Sequence, residues 1–138
     1  MNNLEQTLSI IKPDAVERNL GEDIKQEFKK NGFIISKEKK IKLEKSEAEK
    51  FYQVHQSKPF YNDLCSYLSS GPIIVMVLEG ENAVLNNRKL MGATDPLKAE
   101  EGTLRKMYGI SIDKNSVHGS DSLINGKKEI DFFFNKII

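Results

Sequence analysis

At 138 residues, with 38% hydrophobic and 30% charged content, the chain reads as one domain over residues 1–138, large enough to bury a core without staples. A net charge of +1 excludes the broad basic face that general nucleic-acid attraction needs, so no specific nucleic acid is expected as a partner. A single cysteine, Cys65, permits no internal disulfide, and two distant histidines offer no ordinary zinc site.

Thr7-Leu8-Ser9-Ile10-Ile11 alternates and then runs apolar, which predicts a strand ending before Pro13. Leu20, Ile24 and Phe28 recur every four residues ahead of Gly32, predicting a helix closed by a glycine cap. Phe33-Ile34-Ile35 opens a second strand that continues to about Leu43 through a lysine-rich, edge-like stretch. Ser46-Glu47-Ala48-Glu49 has capping-box spacing. Ala48, Phe51, Tyr52 and His55 then share one helical face, on which His55 reads as structural. Phe60, Leu64 and Leu68 mark a short helix closed by Ser69-Ser70-Gly71-Pro72. The run from Ile73 to Leu78 is the strongest strand signal. Apolar on both faces, it belongs at the centre of a sheet, and Gly80 ends it. Ala83 to Met91 reads as a helix stopped by Gly92. Residues 92–115 read as mostly irregular, with Pro96 and Gly102 as breakers and a short strand around Ile110-Ser111-Ile112. The last helix starts near Ser122 and carries Ile130, Phe133 and Phe134 on one side. Helices interspersed among a few strands suit a small α+β or α/β sandwich, and the ferredoxin-like order is one arrangement that fits.

The chemistry concentrates in Asn115-Ser116-Val117-His118-Gly119-Ser120-Asp121-Ser122. Imidazole suits a nucleophile or proton carrier, because its unperturbed pKa of about 6.5 leaves a lone pair free near neutrality. Gly119 would let an incoming group approach closely. Ser120 or Ser122 can cap the following helix, whose positive end favours an anion. A nucleophile beside an anion site points to phosphate chemistry, although an isolated His-Gly-Ser is more often a plain turn. Lysines number 18 and arginines only three, Arg18, Arg88 and Arg105, so arginine is reserved for places that need a planar fork. There is no G-x-x-x-x-G-K-[ST], no G-x-G-x-x-G, and no kinase-type H-R-D or D-F-G. Nothing at the N-terminus resembles a signal-peptide core and no apolar run approaches membrane-spanning length. A reducing cytoplasm and no membrane partner are the expectation.

Ile11-Lys12-Pro13-Asp14-Ala15-Val16, Lys58-Pro59-Phe60-Tyr61, Ser69-Ser70-Gly71-Pro72, Gly92-Ala93-Thr94-Asp95-Pro96, Gly102-Thr103-Leu104-Arg105 and the histidine octapeptide occur in that order. Together, from about Thr7 to Phe134, they resemble the nucleoside diphosphate kinase family. The resemblance implies a ferredoxin-like βαββαβ sandwich, with a four-stranded antiparallel sheet covered by helices. It also implies transfer of the γ-phosphate of a nucleoside triphosphate to a nucleoside diphosphate through a phosphohistidine, in a ping-pong cycle. By matched position, His118 is the implied phosphate acceptor. Lys12, Arg88, Thr94, Arg105 and Asn115 are implied phosphate and ribose contacts, and Phe60 stacks on the base. Glu129 is implied as the carboxylate that holds the histidine ring, and Tyr52 and Ser120 as residues near the catalytic group. Mg²⁺ is implied as a cofactor carried by the nucleotide phosphates, with Asp121 the nearest matching carboxylate. The implied partners are nucleoside di- and triphosphates and further copies of the chain, as tetramer or hexamer. A catalytically silent nucleotide-binding member of the fold, or a nucleic-acid module of the same topology, is the alternative. The intact histidine, lysine, arginine and asparagine set and the near-neutral charge weigh against both. Asp95 (where asparagine is common), Met107-Tyr108 and Gly126 depart from the pattern, bearing on loop packing, assembly and stability.

Overall fold

The computed structural model describes residues 4–112 and 114–136. Four strands, β1 (Leu4–Ile11), β2 (Ile34–Ile41), β3 (Ile73–Glu81) and β4 (Val117–Gly119), form one sheet in the order β2-β3-β1-β4. Every pairing is antiparallel. Between β1 and β2 lie α1 (Pro13–Glu17) and α2 (Gly21–Lys30), and between β2 and β3 lie α3 (Lys45–Phe51) and α4 (Tyr61–Leu68). After β3 come α5 (Ala83–Met91) and α6 (Leu104–Tyr108); β4 is followed by α7 (Leu123–Asp131) and a π-helical turn, Phe132–Lys136. This is the expected α+β, ferredoxin-like βαββαβ sandwich.

Period-two alternation decides which helix meets which face. On β3, Ile74, Met76 and Leu78 join Ile24, Phe28, Ala83 and Met91 in a core beneath α2 and α5. Ile73 and Val75 point the other way, to Leu43, Ala48, Cys65, Leu68 and Phe133. An apolar run on both faces therefore made β3 central, as its sequence predicts. Cys65 is a buried free thiol in that second core. Lysine-rich β2 lies at a sheet edge, where charged side chains reach solvent. The C-terminus of α2 is closed at Gly32, whose N–H donates to the Lys29 carbonyl while Phe33 N–H donates to that of Phe28.

Several expectations need correction. β3 continues through Gly80 to Glu81, because Gly80 still pairs with Glu5 of β1. No strand forms at residues 110–112, where Ile110 and Ile112 are exposed; the segment before them folds as α6 instead. Thr103 caps that helix by accepting from the Lys106 N–H. The capping box of α3 uses Glu44 and Glu47 rather than Ser46 and Glu49: the Glu47 carboxylate accepts the Glu44 N–H at 2.8 Å. Because α3 ends at Phe51, His55 sits in a separate 3₁₀ turn. Asp95 closes a turn by accepting the Leu97 N–H, Met107 is largely exposed, and Tyr108 packs on the α2–α5 core. At Gly126 an added Cβ would make only ordinary contacts, 3.4 Å from Ser120 Oγ and 3.6 Å from the Gln6 carbonyl, so the close packing of α7 on β1 does not require the glycine.

Gly92 stops α5 at φ 83° and ψ −173°, a conformation nearly confined to glycine. A Cβ there would also meet Thr103 Oγ1 at 2.6 Å and Thr103 Cβ at 2.7 Å. Gly92→Ala combines backbone strain with a clash, and is expected to cost at least about 2 kcal/mol. A urea midpoint that falls with an unchanged slope measures this; an unchanged midpoint would show that the turn relaxes freely.

Candidate active site

The end of β1 delivers Lys12 beside β4. Pro13 stops the strand and, at the first helical position, starts α1 without losing a needed donor. Lys12 N–H donates to the Ser116 carbonyl at 2.8 Å, and its buried Nζ donates to Asn115 Oδ1 at 3.0 Å. Asn115 Nδ2 then donates to the Thr94 carbonyl at 3.1 Å. One chain of hydrogen bonds thus joins Lys12, Asn115 and Thr94, brought from three distant parts of the sequence.

Below them, residues outside the expected set brace the loop. Ser116 is buried with φ 75°, strained for a residue with a side chain. Its hydroxyl donates to Asp14 Oδ2 at 2.8 Å, and Arg18 Nη2 donates to the same Asp14 oxygen at 3.1 Å. Tyr67 donates its hydroxyl to Asp14 Oδ1. Burial and the Asp14 carboxylate push the Tyr67 phenol well above its ordinary range, so it remains a donor. The third arginine, Arg18, is therefore structural, and its signal was Asp14 within the Lys-Pro-Asp motif.

β4 pairs Ile10 with His118 and so turns the histidine toward α3 and α7. Its Nε2 lies 3.1 Å from Glu129 Oε1, and Ser120 Oγ donates to that oxygen at 2.8 Å. Ser120 is not the cap of α7; Ser122 is, accepting the Asn125 N–H. Instead Ser120 is buried, and its Oγ accepts from Leu8 N–H at 3.2 Å while serving Glu129. A carboxylate only accepts, so the Nε2 facing it carries the ring proton. Nδ1 is left with the lone pair. The His118 side chain retains 20% of its surface, enough for an incoming group to reach it. Gly119 does not provide that access: its missing Cβ would meet Asn87 Nδ2 at 2.4 Å and Met91 Cε at 2.7 Å. Its small size serves the packing of β4 on α5.

Tyr52 is buried, and its phenol is pushed well up by desolvation and then by the negative charge of Glu129. Arg105 donates from Nη1 to the Gly92 carbonyl at 3.0 Å and from Nη2 to the Val117 carbonyl at 2.9 Å. Its fork is thus partly spent on backbone, while its Nε–H is buried without a partner among the described residues. Burial, and next the charge of Arg88, bring the Arg105 pKa down to about 10, so it is still a cation at neutral pH. Arg88 is exposed on α5, with Nη1 3.4 Å from the Asp121 carbonyl. Asp121 is exposed too, held below the usual carboxylate range chiefly by the Asn125 amide. Phe60, at 47% exposure, is no core aromatic. Its ring stands 6.2 Å from that of His55, and Lys58 Nζ stands 5.7 Å from its centroid. The His55 pKa is lowered by burial, then by Lys58, with smaller effects from Asp121 and His118, so this aromatic corner and the histidine share one electrostatic neighbourhood.

A cavity of about 570 Å³ lies on the far side of the loop, lined by Asp14, Arg18, Tyr67, Ile110 and Lys114 among others. It contains none of the reactive set. Site chemistry, rather than cavity size, locates the candidate centre at His118.

The sequence profile of the nucleoside diphosphate kinase family matches residues 5–137. A nucleoside diphosphate kinase from a Nitratiruptor species is 59% identical over 131 residues, covering 95% of this chain and 96% of the relative. One from Wolinella succinogenes is 56% identical over the same length and coverage. In three dimensions the chain is similar to the crystallised nucleoside diphosphate kinase of Aquifex aeolicus, with a TM-score of 0.93 at 37% identity, covering 96% of each chain. The apo crystal structure of the Encephalitozoon cuniculi enzyme gives a TM-score of 0.91 at 38% identity, over 94% of this chain and 88% of the other. The sheet order, the histidine on its short fourth strand and these likenesses lead to one assignment: the chain belongs to the nucleoside diphosphate kinase family.

Proposed function

We propose that this chain transfers the γ-phosphate of ATP or another nucleoside triphosphate to a nucleoside diphosphate by way of phospho-His118, and so maintains nucleoside triphosphate pools. The observation that carries the reading is the His118–Glu129 hydrogen bond, which leaves Nδ1 as the ring nucleophile. In the first half-reaction the Nδ1 lone pair forms a bond to the γ-phosphorus. The bond from that phosphorus to the bridging oxygen breaks, and the diphosphate leaves with the electron pair. In the second, a terminal oxygen of another diphosphate attacks the same phosphorus and the N–P bond breaks, returning neutral His118. Glu129 keeps the proton on Nε2 throughout and stabilises the positive ring that forms. Lys12, Arg88 and Arg105 supply positive charge to the polyphosphate, Arg105 through the N–H groups that its two carbonyl partners leave over. Asn115 and Thr94 complete the phosphate and ribose contacts. Tyr52 and Ser120 keep Glu129 and the ring in place.

Among the described residues no group of three or more His, Cys, Asp or Glu side chains is arranged to hold a metal ion. Mg²⁺ would be carried by the nucleotide phosphates, where it would neutralise part of their charge, and Asp121 at the rim is the carboxylate that would serve it. Supporting a reducing cytoplasm is the buried, unpaired Cys65. Among the described residues no helix is long and apolar enough to cross a membrane. Further copies of the chain, as a homo-oligomer of tetramer or hexamer, complete the proposed partners.

Base choice should be broad. Phe60 offers a flat, exposed face, and stacking on an aromatic tolerates any base at about 1–3 kcal/mol in single-strand binders. ATP and GTP are both expected as donors, and ADP, GDP, UDP and CDP as acceptors, with purines favoured by their larger ring. Phe60→Ala should narrow that purine advantage and spare most of the chemical step. Incubation with ATP and each diphosphate, reading the new triphosphate, checks this. Rejection of UDP or CDP by about four orders of magnitude would point instead to a base pocket built on buried hydrogen bonds.

A further inference from the structure

His118 is held by more than Glu129. The ring of Phe51, the last residue of α3, stands 5.3 Å from the imidazole, centroid to centroid, at 73° to its plane. That is the edge-to-face arrangement which aromatic pairs favour. A hydrogen bond at Nε2 pins the far end of the imidazole, near the Cβ–Cγ axis. It resists rotation about that axis only weakly, and the second side-chain torsion of histidine has a broad well. Nδ1 lies off the axis, so the same rotation swings the lone pair across the site. A ring set nearly perpendicular to the imidazole blocks that swing.

Phe51 is itself immobilised. It packs on Tyr52 at 5.0 Å, Phe133 at 5.1 Å and Phe132 at 5.7 Å. Phe132 and Phe133 belong to the π-helical turn that directly continues α7, and α7 carries Glu129. One C-terminal element thus supplies the hydrogen bond to the histidine and braces the ring beside it. Lys39 of β2 fastens that turn by donating to the Phe133 carbonyl, with its ammonium 5.0 Å from the centre of the Phe134 ring.

We infer that Phe51 is a positioning residue for the phosphate acceptor: with its brace in the π-helical turn, it fixes the imidazole rotation that aims Nδ1 at the phosphorus. The inference rests on the proposed phosphohistidine chemistry. Phe51→Leu keeps apolar bulk and removes the ring; Phe51→Tyr keeps the ring. Three readouts apply to each folded variant: the single-turnover rate at which Mg²⁺–ATP alone phosphorylates the protein, the affinity for ADP, and the proton resonances of the His118 imidazole. Phe51→Leu should slow phosphorylation about tenfold to a hundredfold, as small misplacements of a reacting group do, with ADP affinity held within about twofold. Its imidazole resonances should move as the ring current of Phe51 disappears. Phe51→Tyr should restore both rate and resonances. A Leu variant as fast as wild type overturns the inference, as does a Tyr variant as slow as Leu, or a loss that falls on ADP affinity instead. Wild-type protein that takes no phosphate at all would refute the phosphohistidine reading itself, whereas labelled wild type with an unaffected Leu variant refutes only the role of Phe51.

Discussion

His118→Ala is expected to abolish phosphoryl transfer while the protein stays folded. Removal of the nucleophile of a covalent mechanism leaves only binding and electrostatic positioning, and a loss of at least about four orders of magnitude in kcat is the expected scale. The structural cost is small by comparison. The imidazole is partly exposed, and the lost contacts are the Glu129 hydrogen bond and the face of Phe51. Glu129 keeps Ser120 as a donor at 2.8 Å, so no carboxylate is stranded. Coupled-assay rates with ATP and GDP, beside thermal unfolding of the same samples, check both halves. Transfer surviving in a folded alanine variant would place the acceptor elsewhere.

Arg105→Lys carries the second largest effect. A lysine has no fork to satisfy the Gly92 and Val117 carbonyls while also reaching a phosphate. Loss of one of the two carbonyl bonds at a partly buried site costs about 1–3 kcal/mol of stability. Loss of the phosphate contact lowers kcat/KM about tenfold or more, equivalent to at least about 1.4 kcal/mol of transition-state stabilisation. The pH dependence has a definite sign. Burial and the neighbouring Arg88 disfavour the cation here, bringing even arginine down to about 10. A lysine begins lower, at about 10.4 in water, and meets the same downward push, so it gives up its proton within reach of neutral pH. The variant's kcat/KM should therefore fall more steeply than wild type's as pH rises from about 7 to about 9, once rates are normalised at low pH. Lower stability with unchanged kcat/KM would assign Arg105 to the backbone strap alone.

The elements with strong periodicity were legible because burial is what periodicity records. β3 is apolar on both faces and central, and α5 runs from Ala83 to the glycine that stops it. β4 was hidden for a physical reason: three residues, one of them the histidine, are too few to show alternation, and the strand exists only through its register on Ser9, Ile10 and Ile11. α6 lay between breakers, and its one local sign was Thr103, a capping residue three positions before Lys106. The candidate site residues came from the family motifs, and the structure brings Lys12, Asn115 and Thr94 into one hydrogen-bonded chain and His118, Ser120 and Glu129 into another. The supports behind them were not. Asp14, Arg18 and Tyr67 hold the strained Ser116 by contacts between distant segments, and Phe51 reaches His118 only because α3 and β4 meet on one face of the sheet. Spacing in sequence carries no trace of such meetings.

A covalent phosphate at His118 is the step on which the others depend. Purified wild-type protein incubated with ATP labelled at the γ-position, Mg²⁺ and no acceptor should take up label to about one phosphate per chain, as a covalent intermediate does before its acceptor arrives. That label should be released in acid, survive alkali, and pass quantitatively to GDP when GDP is added. An acid-stable label would contradict the phosphohistidine and place the phosphate on another side chain, and no label in protein that still converts GDP to GTP would require direct transfer between the two bound nucleotides.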